Sequence, residues 1–449
     1  MTLLTQTWTS QSSPAVVEVA FMIPRKREPG QMAQSELSKG KAAHWVTTRW
    51  ALACAVPLTA LCVTQAAAQS ASGRGDGIAA GGFLLKPSIE FGARFDDNIA
   101  QEDGGQETDD IVLSVAPALK AESTWRRHKL VIDAGVTADR HIDNTADDTV
   151  DAQFGVKGRM DVTRATKVDA LVSYDRGHDN RGDDNTGIQA EPTKFDRFKS
   201  EVTVRTRPNR LSLSAGAGLL YSNYHDADAI NNDDDRDVLA YTGKGRVAYG
   251  VQRHLDLFVA GNVSHFDYVD AVDDSGFNRD STGYSARAGV AYHPSSQLRV
   301  SIGVGYLNRT FDDPNLGDVS GLDVDGSVNW ALPNRLTNLN LTVSRSVAES
   351  QDADAAARLV SAVSFGATHN LGRRVTLEAK ARYANLTDEG GAGNTDDNDY
   401  SVGLGASYKF SKRVRLGVGY DYKRRSSSDA NGDYSQNVVG LRLTVGFLD

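Results

Sequence analysis

The sequence predicts an all-β fold, a transmembrane antiparallel up-and-down β-barrel of about 18 strands (16–18) preceded by a cleaved signal peptide. From residue 83 onward, apolar and polar residues alternate with a period of two, which is typical of strands, and sustained helical spacing is absent. The alternating segments are about 12 residues long, whereas strands of soluble proteins have roughly 5–6 residues and membrane-spanning strands need about 9–11. Short connections alternate with long ones along the chain, as they do in outer-membrane barrels.

The composition excludes two other classes of protein. Hydrophobic residues make up 40% of the 449 residues and the mean hydropathy is −0.40, which is too polar for a helical membrane protein with spans of about 20 apolar residues. The apolar content is also too high for a disordered chain. Acidic residues outnumber basic ones by 58 to 49, giving a net charge of −9, so no nucleic-acid partner is expected.

Residues 39–68 have the three parts of a secretory signal peptide. A basic stretch precedes an apolar run, and the small residues Ala66 and Ala68 form an A-x-A cleavage site. The apolar run is too short to span a bilayer as a helix. Both cysteines, Cys54 and Cys62, lie inside this segment, so the exported chain is predicted to contain none and to fold without disulfides.

Two further segments complete the N-terminal part of the chain. Residues 1–38 lack a hydrophobic pattern and are interpreted as a non-structural extension produced by a mis-set start codon, with Met32 as the preferred start. A genuine pro-region is the alternative. Residues 69–82 are interpreted as a short periplasmic N-terminal segment, and residues 83–449 as the outer-membrane β-barrel.

The connections predict both the strand number and the orientation of the barrel. Eight short connections and nine long ones, the latter rich in Asp, Asn and Gly, join 18 predicted strands. In bacterial barrels the strand number is even, the short turns face the periplasm and the long loops face outward. Aromatic residues near the strand ends predict two interfacial girdles, although aromatics are common in any strand. The outer girdle would contain Tyr174, Tyr221, Phe266, Tyr268, Tyr306, Phe311, Tyr383, Tyr420 and Tyr422, and the inner girdle Tyr249, Tyr292, Trp330, Tyr408 and Phe410.

The first strand and its exit carry a family motif. Residues 81–100 read GGFLLKPSIEFGARFDDNIA, in which a G-F-L-x-x-P strand is followed by the element Phe95-Asp96-Asp97-Asn98-Ile99. This arrangement resembles the opening of the putative β-barrel porin type 2 family, and weaker similarity extends along the barrel to Phe447. The resemblance implies a location in the outer membrane of a Gram-negative bacterium and the export of exopolysaccharide or capsular polysaccharide.

The inward-facing positions are the candidate functional site. A barrel of 16–18 strands encloses an aqueous channel unless something plugs it, and neither a plug domain nor a constricting inner loop is evident in the sequence. Rings of charged side chains select permeants by sign, so the somewhat basic inward positions are expected to favour the passage of an anionic or polar sugar polymer. The predicted lumen-lining residues are Arg197, Lys199, Arg205, Lys244, Arg246, Arg287, Arg374, Lys380, Arg382, Arg415 and Arg442.

The main functional hypothesis is a channel that exports a polysaccharide. The alternatives are a general diffusion porin for small polar solutes, a structural or adhesin barrel, and a hydrolase acting at the outer rim. For the inward charges, the alternative is that they merely neutralise one another. An enzyme is not expected, because His178, His225 and His265 lie near Asp residues without a recognisable nucleophile motif, and no cofactor is expected.

The expected partners follow from the predicted location. They are the lipid bilayer with its lipopolysaccharide, the barrel-insertion machinery and, under the export hypothesis, a polysaccharide polymer with periplasmic export components. Asp-rich loops such as Asp183-Asp184 and Asp233-Asp234-Asp235 are candidates for binding divalent cations, but no stretch matches the calcium-loop pattern. Turn formation by Asp, Asn and Gly is the alternative interpretation.

Overall fold

The computed structural model describes residues 77–181, 191–225, 234–350, 355–390, 395–429 and 432–447. The predicted extension and signal peptide, with the cleavage residues Ala66 and Ala68, lie outside the described residues, and so do Asp183, Asp184 and Asp233. No helix within these ranges has the length and apolar content needed to cross a membrane.

These ranges contain nineteen strands and two short 3-10 helices. The strands are β1 Ile78–Ala80, β2 Phe83–Asp96, β3 Asp110–Ser123, β4 Lys129–His141, β5 Thr149–Asp161, β6 Thr166–Asp179, β7 Thr193–Thr206, β8 Leu211–His225, β9 Val238–Gln252, β10 Leu255–Tyr268, β11 Ser281–Tyr292, β12 Leu298–Phe311, β13 Val319–Ala331, β14 Thr337–Ala348, β15 Ala357–Leu371, β16 Val375–Glu389, β17 Asp396–Lys409, β18 Val414–Ser427 and β19 Tyr434–Gly446. The 3-10 helices are Thr145–Asp147 and Asp234–Arg236.

In this part of the chain, the eighteen strands from β2 to β19 form a closed antiparallel barrel. Each strand pairs with the next, and β19 pairs back with β2 from Gly446 opposite Ser88 to Val438 opposite Asp96. The predicted fold class and strand number are therefore confirmed. The short strand β1 pairs with the start of β2 after the chain reverses at Gly81, whose φ of 57° lies in the left-handed region that favours glycine.

The strands are long and have two different faces, as the sequence predicts. On β17, the outward-facing Val402 and Leu404 are 44% and 56% exposed, whereas the inward-facing positions between them carry Ser401, Gly403 and Gly405. The same alternation runs around the barrel, with large apolar side chains exposed on the outer surface. Such an apolar outer surface would be a liability in water, and it suits contact with lipid.

The predicted outer girdle is wrong for three aromatic residues. Tyr268 is only 7% exposed, and it lies on the face of β10 opposite to that of the exposed Val259 and Val263. Phe266 has the same parity as Tyr268, and Phe311 packs against a buried apolar cluster at the long-loop end of the barrel. These rings support the inner wall because strand parity, rather than nearness to a strand end, decides which face a side chain occupies.

Aspartates in the long loops fix the loop backbones. The Asp110 carboxylate accepts hydrogen bonds from the backbone N–H groups of Ile142, Asp143 and Asn144 at 2.8–3.2 Å. A similar arrangement recurs in two other loops, where Asp237 accepts from the Tyr224 backbone and Asp280 from the Tyr268 backbone. The described loop aspartates therefore act as structural acceptors, in line with the turn-forming interpretation.

Inward-facing glycines make room for large side chains on the inner wall. The ring of Phe258 lies over Gly289 and Gly303, and a Cβ atom at Gly303 would stand 3.1 Å from its Cζ atom. A Cβ atom at Gly289 would overlap with this ring and with the carbonyl oxygen of Ile302. The glycines thus let an aromatic ring lie flat against the wall of the lumen.

The outward position of Leu404 gives a test of the membrane-facing surface. Replacing Leu404 by Arg is expected to destabilise the barrel in a bilayer by about 2–4 kcal/mol, because a charge near the middle of a lipid-facing strand loses its hydration. The control Ser407→Arg adds the same group on the inward face of the same strand, where a smaller loss is expected. Urea unfolding in lipid vesicles, followed by tryptophan fluorescence, compares the two variants. Equal losses would contradict the assignment of the faces.

The glycines beneath Phe258 give a second test. Gly289→Ala is expected to lower the free energy of unfolding by about 1–3 kcal/mol, because the added methyl group overpacks the contact between β11 and β12. Gly155→Ala is the matched control, since nothing lies within 4 Å of a Cβ atom at that inward position. Thermal unfolding in detergent measures both, and an unchanged midpoint for Gly289→Ala would refute the packing argument.

Candidate functional site

The inner wall carries most of the predicted lumen-lining residues in three cavities. The first, called here the basic cavity, has a volume of about 510 Å³ and is lined by Lys244, Arg246, Arg287, Arg309, Asp323 and Arg345. A second cavity of about 560 Å³ contains Lys380, Arg415 and Arg442 together with Glu90, Glu378 and Asp421. A third, of about 330 Å³, brings Arg382 together with Asp179, Asp399, Lys423 and Arg425.

Four predicted lumen-lining residues lie apart from these cavities. Arg197 donates to Ser222 Oγ at 3.3 Å and to the Tyr224 hydroxyl at 3.2 Å, and Lys199 follows it on the same face of β7. The guanidinium of Arg205 donates to Asp169 at 2.6 Å. Arg374 lies in the turn before β16, where it donates to the hydroxyl of the outward-facing Tyr408 at 3.3 Å.

Several of the predicted cations are paired with a carboxylate that lies one or two strands away around the barrel. Lys380 contacts Asp421 at 2.6 Å and Arg442 contacts Glu90 at 3.4 Å, both in the second cavity. Lys244 contacts Glu201 on β7. These pairs match the expectation that inward charges neutralise one another, and each holds a long side chain against the wall.

Two arginines of the basic cavity rest on aromatic rings instead. The guanidinium of Arg246 lies 3.7 Å from the ring centre of Phe258, and that of Arg309 lies 4.0 Å from the ring centre of Phe266. A stacked guanidinium is attracted to the ring face and keeps its N–H groups directed sideways. Stacking therefore fixes the position of both cations without neutralising them.

The outer end of β14 turns into the lumen. β13 and β14 pair only from Ala331 and Asn338 to Asp325 and Ser344, and beyond this point β14 stays paired with β15 alone. By strand parity Arg345 would share the outward face of β14, but the strand has left the wall there and Arg345 lines the basic cavity. Residues 345–350 are called here the inward segment, and the sequence does not predict that Arg345, Ser346 and Val347 line the lumen.

The inward segment carries an acidic residue into a group of arginines. Glu349 faces Arg236, Arg279 and Arg309, which come from two outer loops and from β12. Burial raises the pKa of the Glu349 carboxyl above its ordinary value, while the three guanidinium groups act in the opposite direction. The titratable Asp179 also faces this carboxylate, so several elements of the wall determine its charge.

A buried carboxylate holds the last residue of the inward segment next to β15 and β16. Asp388 of β16 is 1% exposed and accepts hydrogen bonds from Ser350 Oγ at 2.7 Å and from Arg358 at 2.7 and 2.9 Å. A buried carboxylate bound to an arginine through two parallel bonds is a geometrically specific contact. The sequence gives no sign of it, because Ser350, Arg358 and Asp388 are brought together only by the pairing of β15 with β16.

The residues of the family motif join the first strand of the barrel to the last. Both carboxylate oxygens of Asp96 accept from Gln436 Nε2 at 3.0 and 2.9 Å. Asp97 accepts from the backbone N–H and the side-chain amide of Asn437 at 2.6 and 2.7 Å. Since Gln436 and Asn437 belong to β19, the two aspartates connect the strands that close the barrel.

Asn98 completes this connection, which is called here the seam network. Its side chain is fully buried at 0% exposure and donates to the carbonyl oxygens of Glu102 at 2.8 Å and Ser435 at 3.1 Å. Its Oδ1 atom accepts from the Glu102 N–H at 2.9 Å. Phe95 lies on the outer surface, and the Ile99 N–H donates to the Thr108 carbonyl within the loop. The motif therefore combines a lipid-facing ring with amide groups that set the strand register.

A family model described as putative beta-barrel porin 2 matches residues 73–447 of the chain. The chain belongs to this family. It is an outer-membrane porin, and both the family and the closed barrel indicate a channel rather than an enzyme. The resemblance found in the motif is thus confirmed, together with the outer-membrane location.

Solved structures of porins from Pseudomonas aeruginosa have a similar fold. OpdL is 11% identical, with a TM-score of 0.42 over 82% of this chain and 99% of that chain. OpdK with vanillate is 12% identical, with a TM-score of 0.43 over 81% and 98%. OccK2 (OpdF) is 10% identical, with a TM-score of 0.44 over 81% and 98%. No curated protein matches the porin chain.

The histidines considered at the sequence level are not brought together in the porin. His178 contacts Asp151 at 2.9 Å, His225 contacts Asp196 at 2.8 Å and His265 contacts Thr282 Oγ1 at 3.0 Å, so each has a separate local partner. Over the ranges that the structure describes, no three His, Cys, Asp or Glu side chains come together in a way that could hold a metal ion.

The seam network predicts a specific loss of stability. Asn98→Ala is expected to lower the free energy of unfolding by about 1–3 kcal/mol, because it removes the fully buried amide that binds backbone groups of Glu102 and Ser435. Asn315→Ala is the control, since Asn315 is exposed and its amide donates to Asp313 within one loop. The temperature at which the porin loses its compact form on an SDS gel measures both variants. Equal temperatures would show that the network does not stabilise barrel closure.

Proposed function

We propose that this porin is a passive channel for small polar solutes. The observation that supports the proposal is the inward segment, which brings Glu349 to the arginines of three other elements at the outer end of the barrel. The inner wall carries cavities of about 330 to 560 Å³, one of which is lined in part by the inward segment, and this size suits small molecules. A solute of this size would pass between polar walls that replace part of its hydration.

Export of a polysaccharide, which the family resemblance implies, lacks comparable support. A polymer chain needs a continuous bore of nearly constant width, whereas the inward segment lines the lumen and its last residue, Ser350, is held by a hydrogen bond to Asp388. The comparisons concern porins and give no support for a polymer as substrate. The diffusion of small solutes therefore explains more of the observed geometry.

Liposome swelling with uncharged sugars of increasing size tests this proposal. We expect fast entry of monosaccharides, slower entry of disaccharides and no entry of a dextran, because the inward segment limits the width of the path. Liposomes without porin are the control. Entry of dextran at a rate comparable with that of glucose would favour polymer transport, and the absence of any sugar flux would contradict a channel function.

The charge of Glu349 gives the channel an expected pH dependence. Below the folded-state pKa the carboxyl is neutral, so the positive charges of Arg236, Arg279 and Arg309 are no longer offset and chloride should permeate more easily relative to potassium. Because burial raises this pKa, the change should begin at a higher pH than the value of about 4.3 for an ordinary glutamate. The facing Asp179 would add to the change only if it also takes up a proton.

Reversal potentials in a KCl gradient, recorded in planar bilayers between pH 7.5 and 4, measure this dependence. Glu349→Gln is expected to show the higher chloride preference already at neutral pH and a flatter pH profile. Glu107→Gln, in an exposed part of the loop between β2 and β3, is the matched control. If the profile of Glu349→Gln coincides with that of the unmodified porin, Glu349 does not control the selectivity.

A further inference from the structure

We propose that the basic cavity is a binding site for a small oxyanion, meaning a carboxylate or phosphate group on a permeating solute. This inference rests on the proposed function and adds a substrate class to it. The site lies in the wall formed by β9 to β14. Cationic side chains outnumber acidic ones there, whereas the two signs are nearly balanced in the second cavity.

Positive charge exceeds negative charge in the lining of the basic cavity. Five cationic side chains and one acidic side chain line the basic cavity. The acid, Asp323, is already engaged, since both of its oxygens accept from Arg287 at 3.0 and 3.1 Å. Lys244 is likewise paired with Glu201. The remaining cations of the cavity are Arg246, Arg309 and Arg345.

None of these three arginines forms an ion pair with a carboxylate in the described part of the chain. Arg309 is only 7% exposed, and the acidic residue that faces it, Glu349, does not line the cavity. The Nε atom of Arg345 is buried and has no hydrogen-bond partner among the described residues. Burying guanidinium groups whose charges are only partly compensated is unfavourable, because each ion loses hydration without an equivalent replacement. A ligand that supplies negative charge inside the cavity would compensate them.

The geometry suits an oxyanion in particular. Arg246 and Arg309 are held by the rings of Phe258 and Phe266, so their planar N–H edges are positioned before a ligand arrives. Planar guanidinium groups bind carboxylate and phosphate oxygens through short, charge-assisted hydrogen bonds. Thr242, Asn262, Ser264 and Ser285 line the same cavity and offer further donors to the remaining oxygens.

The chain itself brings a carboxylate to the edge of this site. Glu349 faces Arg309, the residue through which the cavity meets the arginine group at the outer end of the barrel. A solute carboxylate that enters from outside would therefore pass from the neighbourhood of one arginine group to the next. Such a succession of cations is expected along an uptake path for anionic solutes, whereas a purely structural wall does not need it.

Current block in planar bilayers tests the proposal. Succinate and inorganic phosphate, added to a chloride-conducting channel, are expected to reduce the current with saturation, and uncharged glucose at the same concentration serves as the reference probe. Calorimetric titration of the detergent-solubilised porin with both anions measures binding independently of conduction. Stronger block by succinate would identify a carboxylate ligand, and stronger block by phosphate would identify a phosphate ligand.

The double variant Arg246→Gln/Arg309→Gln is expected to raise the half-blocking concentration at least about tenfold, which corresponds to the loss of a charge-assisted hydrogen bond. The matched control Arg140→Gln/Arg164→Gln removes the same charge from exposed positions outside the cavity and should leave the block unchanged. Arg309→Lys, which keeps the charge but loses the planar fork, should give an intermediate value and also serves if the double variant fails to fold.

The outcomes separate this inference from the proposed function. If sugars enter liposomes but neither anion binds or blocks with saturation, the oxyanion site is refuted and the channel function stands. An equal effect of both double variants would likewise refute the site, because only the net charge would then matter. If anions bind in calorimetry but no solute passes through the barrel, the site is supported and the channel function fails.

Discussion

Closure of the sheet is the constraint on which the rest of the structure depends. An unpaired backbone N–H or C=O group in hydrocarbon costs several kcal/mol, so a membrane-spanning sheet has no free edge. Here the last edge disappears where β19 pairs with β2. This pairing joins residues about 340 positions apart, which makes it entropically the most demanding contact of the barrel. The seam network of Asp96, Asp97 and Asn98 acts at this place, where a slip by one residue would exchange the inner and outer faces.

Closure also determines how the interior is built. Because each strand turns its apolar side chains outward, polar and small residues line the lumen. The charged side chains among them need partners there. In the second cavity the partners are carboxylates on nearby strands, as in the pair of Lys380 on β16 and Asp421 on β18, which lies over Gly403 of the intervening β17. In the basic cavity the support comes from aromatic rings over glycines, as in Phe258 above Gly289 and Gly303. Both solutions fix long side chains against the wall and keep the lumen open beside them.

The period of two predicted the barrel, its eighteen strands and the inward position of residues such as Lys244 and Arg287, because each of these depends only on parity within one strand. Parity contains no information about depth or about the direction of a loop. Nearness to a strand end wrongly placed Tyr268 in the outer girdle, although its parity puts it on the inner face. Parity also gave no indication that β14 leaves the wall beyond Ser344. The contacts between Arg358 and Asp388, or between Asp97 and Asn437, depend on the register between strands, which one sequence does not contain.

Charge pairing along most of the wall makes the exceptions informative. A wall that served stability alone would pair Arg246 and Arg309 with carboxylates of neighbouring wall positions at ion-pair distance, as it pairs Arg442 and Arg287. Aromatic stacking instead positions these guanidinium groups and leaves their hydrogen-bonding capacity available. In natural proteins, buried polar groups without hydrogen-bond partners tend to coincide with functional sites. The part of the lumen wall with paired charges is thus a rigid frame. Discrimination among solutes would arise in the basic cavity, where the stacked arginines lie.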